Sequence, residues 1–332
     1  MTATSPRWLP RLLIAAVPLL ILLSLSLGSV PMPWPEVLRD LLHQQDTVNT
    51  LIVTEIRLPR ALLAATVGAV LGLSGAALQA VFRNPLAEPG LLGVSSCAAL
   101  GAIVALYYGL SELGWFTLPA FGIVGALISV VSTFVLAGRG SSVSTLLLAG
   151  VAINALAGSC IALALNFAPN PYAMSEMVYW LLGSFANRTL SEFLFALPFV
   201  AVGMTMILSQ RRFLDGLSLG EETAQSLGFN VLRARAVVVI GVAAAVGAAV
   251  AVSGSIGFVG LLVPHLMRPL VAHEPGRLLP ISAVAGAVFL LLADIAVQCL
   301  SPQQELKIGV VTALVGAPFF LYLIVRLRTH AP

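Results

Sequence analysis

Few side chains in this sequence have the type and setting for chemistry, and those few stand far apart. Asp294 lies inside an apolar run, Leu291-Leu292-Ala293-Asp294-Ile295. An ionisable group in hydrocarbon is costly and commonly functional, so a proton relay is conceivable there. A single carboxylate is a poor relay, and capping or pairing with a neighbouring helix is the simpler role. Lys307 is the one lysine, no Gly-rich phosphate loop ends in Lys-Ser or Lys-Thr, and no nucleophile, base and orienting group occur in a recognisable order. Cys97, Cys160 and Cys299 are odd in number and sit in or beside apolar runs, which suits neither a disulfide framework nor a metal site. His43, His265, His273 and His330 have no spacing that would set two on one helix face as ligands. The expectation is a protein without catalytic residues, bound metal or cofactor of its own.

The elements that position these residues are membrane spans. Of the 332 residues, 59% are hydrophobic and 9% charged, against roughly 45–50% and about 25% in an ordinary soluble domain. That leaves too little polar surface to cover a globule, and a separate soluble catalytic domain is excluded. At about 20 apolar residues per span, the chain supplies about ten. Apolar runs fall at Trp8–Leu27, Leu62–Phe82, Leu92–Leu110, Leu118–Leu136, Leu146–Phe167, Phe193–Leu208, Ala236–Val252, Ile256–Met267, Leu278–Leu300 and Ile308–Val325. The eighth is too short to cross alone, so it is tilted and interrupted or broken at Pro264. The first run reads as a span rather than a cleaved signal, with Pro18 inside it and no small-residue cleavage box.

An even number of spans puts both termini on one side. With the N-terminus inside, Arg7, Arg11, Arg83, Arg139, Arg211, Arg212, Arg233, Arg235, Arg268, Arg277, Arg326 and Arg328 face the cytoplasm, while Arg39, Arg57, Arg60, Arg188 and Lys307 face out. The positive-inside rule therefore places both ends in the cytoplasm. The basic residues are spread over many loops rather than gathered in one patch, so no nucleic-acid partner is expected.

Two passages stand out. Val67-Gly68-Ala69 with Ser74-Gly75 recurs as Val246-Gly247-Ala248 with Ser253-Gly254, five spans later, the offset of an inverted-topology repeat. Close helix packing explains such small residues equally well. Between the second and third spans, Arg83-Asn84-Pro85-Leu86-Ala87-Glu88-Pro89-Gly90 breaks the helical path, so its backbone must be buried in protein or line a wet cavity.

The string Asn84-Pro85-Leu86-Ala87-Glu88-Pro89-Gly90-Leu91-Leu92-Gly93-Val94-Ser95 resembles the signature of ABC importer permeases for iron complexes and cobalamin. Ile56-Arg57-Leu58-Pro59-Arg60, Leu146-Leu147-Leu148-Ala149-Gly150, Leu219-Gly220-Glu221, Gly257-Phe258-Val259-Gly260-Leu261-Leu262-Val263-Pro264-His265 and Gly309-Val310-Val311-Thr312-Ala313 extend the likeness in order. The resemblance implies an all-α polytopic membrane protein of about ten transmembrane helices, type II ABC importer permease-like, in which residues 1–332 form a single transmembrane permease domain. It further implies a homodimer in the bacterial inner membrane, driven by a cytosolic ABC ATPase dimer and fed by a periplasmic or lipid-anchored substrate-binding protein. ATP and Mg belong to the partner ATPase, and this chain is a transport permease rather than an enzyme.

By the same resemblance, the cytosolic loop 211–235 couples to the ATPase through Leu219, Gly220, Glu221, Glu222 and Ala224. Locally the residues suit a short helix, with Glu221 and Glu222 where the dipole favours negative charge and Gly228 as a stop. Ala224 and Leu227 are expected on an apolar face that enters a groove. Arg57 and Arg60 are expected as binding-protein contacts, with Lys307 compensating for Gln298, which stands where the family often has arginine. Asn84, Leu86, Val143 and Ser144 map onto the inner gate, and the aromatic stretch Tyr179–Phe185 onto a short helix at the outer mouth. The favoured cargo is a ferric siderophore or haem, with cobalamin as the alternative, and Val143 stands where cobalamin-importing relatives have a small hydroxyl residue. An ion-coupled secondary transporter is the competing class, supported by the repeat and Asp294 alone.

Overall fold

A computed structural model describes residues 8–28, 31–43, 47–138, 143–300 and 306–329. The order is α1 (Trp8–Ser26), α2 (Trp34–His43), α3 (Val48–Leu51), a π-helical stretch Ile52–Arg57, α4 (Leu58–Val81), α5 (Val94–Tyr107), α6 (Thr117–Ala137), α7 (Val143–Asn166), α8 (Pro171–Leu181), α9 (Leu190–Ser209), α10 (Arg211–Ser218), α11 (Glu221–Ser226), α12 (Val231–Ser253), α13 (Val259–Met267), α14 (Pro275–Leu300) and α15 (Ile308–Thr329). Among the described residues, seven helices are long and apolar enough to span, and α5, α13 and α15 are shorter apolar ones. The ten apolar runs in the sequence each meet one of these. The second is longer than its apolar core suggests, because the π-helical stretch carries the rod outward to Val48.

The centre is built from α4 and α12, each about four-fifths buried over its most apolar stretch. Both owe this to small residues, which allow backbones to approach where lipid supplies no hydrophobic drive. A Cβ on Gly68 or Gly72 of α4 would run into the Gly286 or Ser282 carbonyl of α14, and one on Gly247 of α12 would meet Ala126 of α6. The two members of the short repeat thus sit at equivalent central places, α4 against α14 and α12 against α6.

The contacts also fix direction. Arg60 meets Asp294 and Gly72 meets Ser282, so α4 and α14 are antiparallel; Ser24 meets Gln298 while Leu9 lies by Pro280, so α1 runs with α14. Gly75 packs on Gly260 and Gln79 meets Arg268, so α13 runs with α4, and α15 runs beside α13 with Gly316 at Phe258 and Phe319 at His265. The start of α1, the elbow α10–α11 and the end of α15 therefore share one end of the bundle. Arg11, Arg83, Arg211, Arg212, Arg233, Arg235, Arg268 and Arg277 lie there, and Arg39, Arg57, Arg60, Arg188 and Lys307 at the other. Arg7 and Arg139 fall outside the described residues.

The eighth span is interrupted at its start. Its nine residues rise about 14 Å, half of a roughly 30 Å hydrocarbon core. It begins beside Leu71 and Gly75 of α4 after a left-handed residue, Phe258 at φ 68°. Similarly, α5 starts within the bundle after a left-handed residue, Gly93 at φ 71°, packed on Ile153 of α7. The two irregular segments, Asn84–Gly93 and Gly254–Phe258, meet in the interior, which is what backbone at membrane depth requires.

Candidate functional site

Three groups of residues bear on function. The first is the elbow formed by α10 and α11. Gly220, at φ 122° and ψ 158°, makes the corner between them in a region open essentially to glycine. Glu221 and Glu222 occupy the first turn of α11, and Glu221 pairs with the buried Arg235 of α12 across an Oε1–Nη2 contact of 2.5 Å. At the far end the Gly228 N–H donates to Gln225 O and the Phe229 N–H to Ala224 O, a Schellman termination with Gly228 left-handed at φ 87°. The Phe213 and Phe229 rings close the elbow edge to face. Asp215 accepts the Gly276 N–H at 2.6 Å and Arg211 donates to Gly276 O at 2.9 Å, which bolts α10 to the first turn of α14.

One expectation fails here. Ala224 is fully buried against its own chain and presents no outward face. Leu219 and Leu227, 71% and 60% exposed, are the apolar side chains that face away. The short helix turns Ala224 inward so that the Schellman bond can close under it.

The second group surrounds Asn84–Gly93. Asn84 Oδ1 accepts the Leu86 N–H at 2.9 Å, holding the turn after α4, and Leu86 is half exposed. A cavity of about 250 Å³ joins Asn84 to Ser218 of the elbow and to Arg268. Arg268 in turn donates to Gln79 Oε1, whose amide donates to Gly260 O at 3.2 Å, pinning α13 to α4. Val143 is half-buried against the core and Ser144 is exposed at the start of α7. Among the described residues no hydrogen bond joins either to Asn84 or Leu86. Deeper in, a polar cavity of about 260 Å³ takes Glu88, Ser95, Ser96, Asn154 and Ser255 into its wall. The Ser96 hydroxyl donates to Asn154 Oδ1 at 2.5 Å, and among the described residues the Glu88 carboxylate has no hydrogen bond or ion pair.

The third group lies at the opposite end. Arg60 grips Asp294 with Nε and Nη2, at 3.0 and 2.9 Å, and Gln298 adds a bond from Nε2 to Asp294 Oδ2 at 2.8 Å and another to Ser24 at 3.2 Å. Asp294 is therefore a paired structural carboxylate joining α1, α4 and α14, which removes it as support for a proton relay. Arg57 departs from the expected docking role. It is 7% exposed and donates from Nη1 to Leu25 O at 2.7 Å, closing the last turn of α1. Arg60 keeps 19% of its side chain exposed. Lys307 stands with Nζ 5.4 Å from the Tyr179 ring centre, beside the α8 helix expected at the outer mouth. There Gly183, Gly254 and Gly309 are packed against one another's neighbouring carbonyls, beside an opening lined by Leu182, Ser255 and Val310.

Sequence reading missed Gln79, Arg268, Asp215 and Arg235 as structural partners. Gln79 alone carried a signal, as a polar amide near the end of an apolar run. The other three acquire meaning only from the turn that faces them.

The bundle with interrupted helices, a polar interior and a tethered helical elbow at its basic end defines a multi-pass transport permease. Residues 14–326 match the model of the FecCD transport family, and the chain belongs to that family. It is 40% identical over 319 residues, covering 92% of this chain and 90% of the relative, to the uncharacterized ABC transporter permease protein YvrB of Bacillus subtilis. It is also 40% identical over 278 residues, 84% of each chain, to the vitamin B12 import system permease protein BtuC of Citrobacter koseri. A solved metal-chelate type ABC transporter in an inward-facing conformation superimposes with TM-score 0.85 and 33% identity, over 96% of this chain and 98% of that one. The chain is an ABC importer permease of this family.

Proposed function

We propose that this chain is the membrane-spanning half of an ATP-driven importer that moves a bulky metal chelate across the bacterial inner membrane as a homodimer. The supporting observation is the elbow, a short helix held at fixed height by Glu221–Arg235 and Asp215–Gly276 and projecting Leu219 and Leu227 from the basic end. Such a rigid projection suits insertion into a cleft on a cytosolic ABC ATPase dimer. The basic end is cytoplasmic by the positive-inside rule, which places both termini there.

Span α7 is only 22% buried over its most apolar stretch, with Leu148, Val151, Leu156 and Leu163 outward, and α15 exposes Leu314, Val315 and Leu321. In a homodimer these faces enclose the path between two copies. The inner gate then forms across the dimer axis from Leu86, Asn84, Val143 and Ser144, which suits the absence, among the described residues, of a hydrogen bond from Val143 or Ser144 to Asn84 or Leu86. At the outer end, docking of a periplasmic or lipid-anchored binding protein falls to Arg60 and Lys307 rather than Arg57. Rim charges of this kind set orientation and association rate more than affinity.

For the cargo, kinship with a vitamin B12 permease favours a corrinoid. A ferric siderophore or haem is the second reading, favoured by Val143 and by likeness to a metal-chelate transporter. Uptake into proteoliposomes holding this chain, its ATPase and its binding protein, with cobalamin, haem and ferric siderophore in parallel, tests the proposal. ATP-dependent uptake of one metal chelate supports it and names the cargo. Uptake of none, with all three components assembled, overturns it.

A further inference from the structure

At the elbow end, the N-terminal halves of α1 and α14 flank an open-sided groove of about 270 Å³. Its walls are apolar, with Leu13 and Ile14 from α1 facing Leu270 and Val284, and its mouth carries Arg211 and Arg277. The groove runs between two spans, so its walls adjoin hydrocarbon and its mouth lies at headgroup level. Trp8, 62% exposed at the start of α1, suits that interface.

The charges at the mouth are unevenly matched. Arg211 uses Nε for Gly276 O and keeps its Nη groups free of partners among the described residues. Arg277 shares its Nε with Glu274, an exposed pair of little cohesion. Asp215 is already committed to the Gly276 N–H. Arg11 and Arg212 are exposed at the same end and are not paired among the described residues. Two guanidinium forks above an apolar slot match a phosphodiester with an attached acyl chain, since guanidinium binds phosphate oxygens in pairs.

We propose that this groove is a binding site for one anionic phospholipid, its phosphate on Arg211 and Arg277 and an acyl chain between α1 and α14. The occupant is drawn from the bilayer that already bathes the groove, and its negative headgroup sets it apart from zwitterionic lipid. Bound there, it ties α1 to α10 and so to the elbow. The inference concerns the permease alone and stands apart from its transport role.

Native mass spectrometry of the detergent-purified full chain, mixed with phosphatidylglycerol, phosphatidylcholine or inorganic phosphate, tests it. The expected result is one tightly retained phosphatidylglycerol per chain, preferred over phosphatidylcholine by on the order of tenfold, as two basic contacts near a headgroup would give. In Arg211→Gln/Arg277→Gln the preference falls to parity. Ile14→Trp, which fills the slot without touching charge, loses retention of both lipids. Equal retention of the two lipids by the native chain overturns the proposal, as does an undiminished preference in the double variant. Capture of inorganic phosphate in place of lipid also overturns it.

Discussion

Gly220 shows how one residue sets the geometry of the elbow. Its φ of 122° with ψ of 158° costs an L-residue about 1–3 kcal/mol. Gly220→Ala should therefore leave membrane insertion intact and cut transport-linked ATP hydrolysis severalfold, read as ATPase stimulation in proteoliposomes. Glu221→Gln should have a milder effect, because Arg235 is 4% exposed and keeps a neutral acceptor. At Arg57 the expectation has changed character. Arg57→Gln should lower thermal stability by about 1–3 kcal/mol, the cost of losing a buried charged donor, and should leave association with the binding protein unchanged in a pull-down at native temperature. Sequence showed the helix stop at Gly228 and the acidic first turn, because these are local backbone rules. It could not show that Ala224 points inward or that Arg57 curls back to Leu25, 32 residues away. Side-chain direction is decided by a neighbour that only the fold supplies.

Among the elements, α4 and α14 share the most extensive contact, and it rests on Gly68, Gly72 and Gly286. Gly72→Leu should force the two helices apart and destabilise the protein by about 1–3 kcal/mol or more, measured as a fall in melting temperature in detergent. Gly158→Ala, inside α7 with nothing within 4 Å of the added methyl, should not lower that temperature and should raise it slightly, since alanine is the better helix former. The outer clamp belongs to the same pair of helices. Asp294→Ala strands a partly buried Arg60 and should cost up to about 3–5 kcal/mol, the range for breaking a buried ion pair, whereas Asp294→Asn should cost less by keeping one acceptor oxygen for Arg60. The spans were legible because hydrocarbon demands long apolar runs, and the short eighth announced a break that the structure places before Val259. The pairing of Arg60 with Asp294 was illegible, since 234 residues separate them.

At the scale of the whole molecule, the interrupted helices α5 and α13 begin inside the bundle and the elbow lies at its basic end. The elbow is bonded to α14 through Asp215 and to α12 through Arg235, so a displacement of the elbow should be felt by both spans. If the exposed faces of α7 and α15 enclose the path with a second copy, as proposed, the detergent-purified protein should have twice the chain mass by light scattering after the detergent is subtracted. In the proposed function, transport draws its energy from ATP through this elbow. The most direct test is the ATPase activity of the partner subunits reconstituted with this chain, together with cargo uptake, with and without residues 219–228 intact. Uptake should require ATP and both partners, and disrupting the elbow should abolish uptake while the chain still inserts and dimerises. Uptake by this chain alone, driven by an ion gradient and indifferent to ATP, would contradict it.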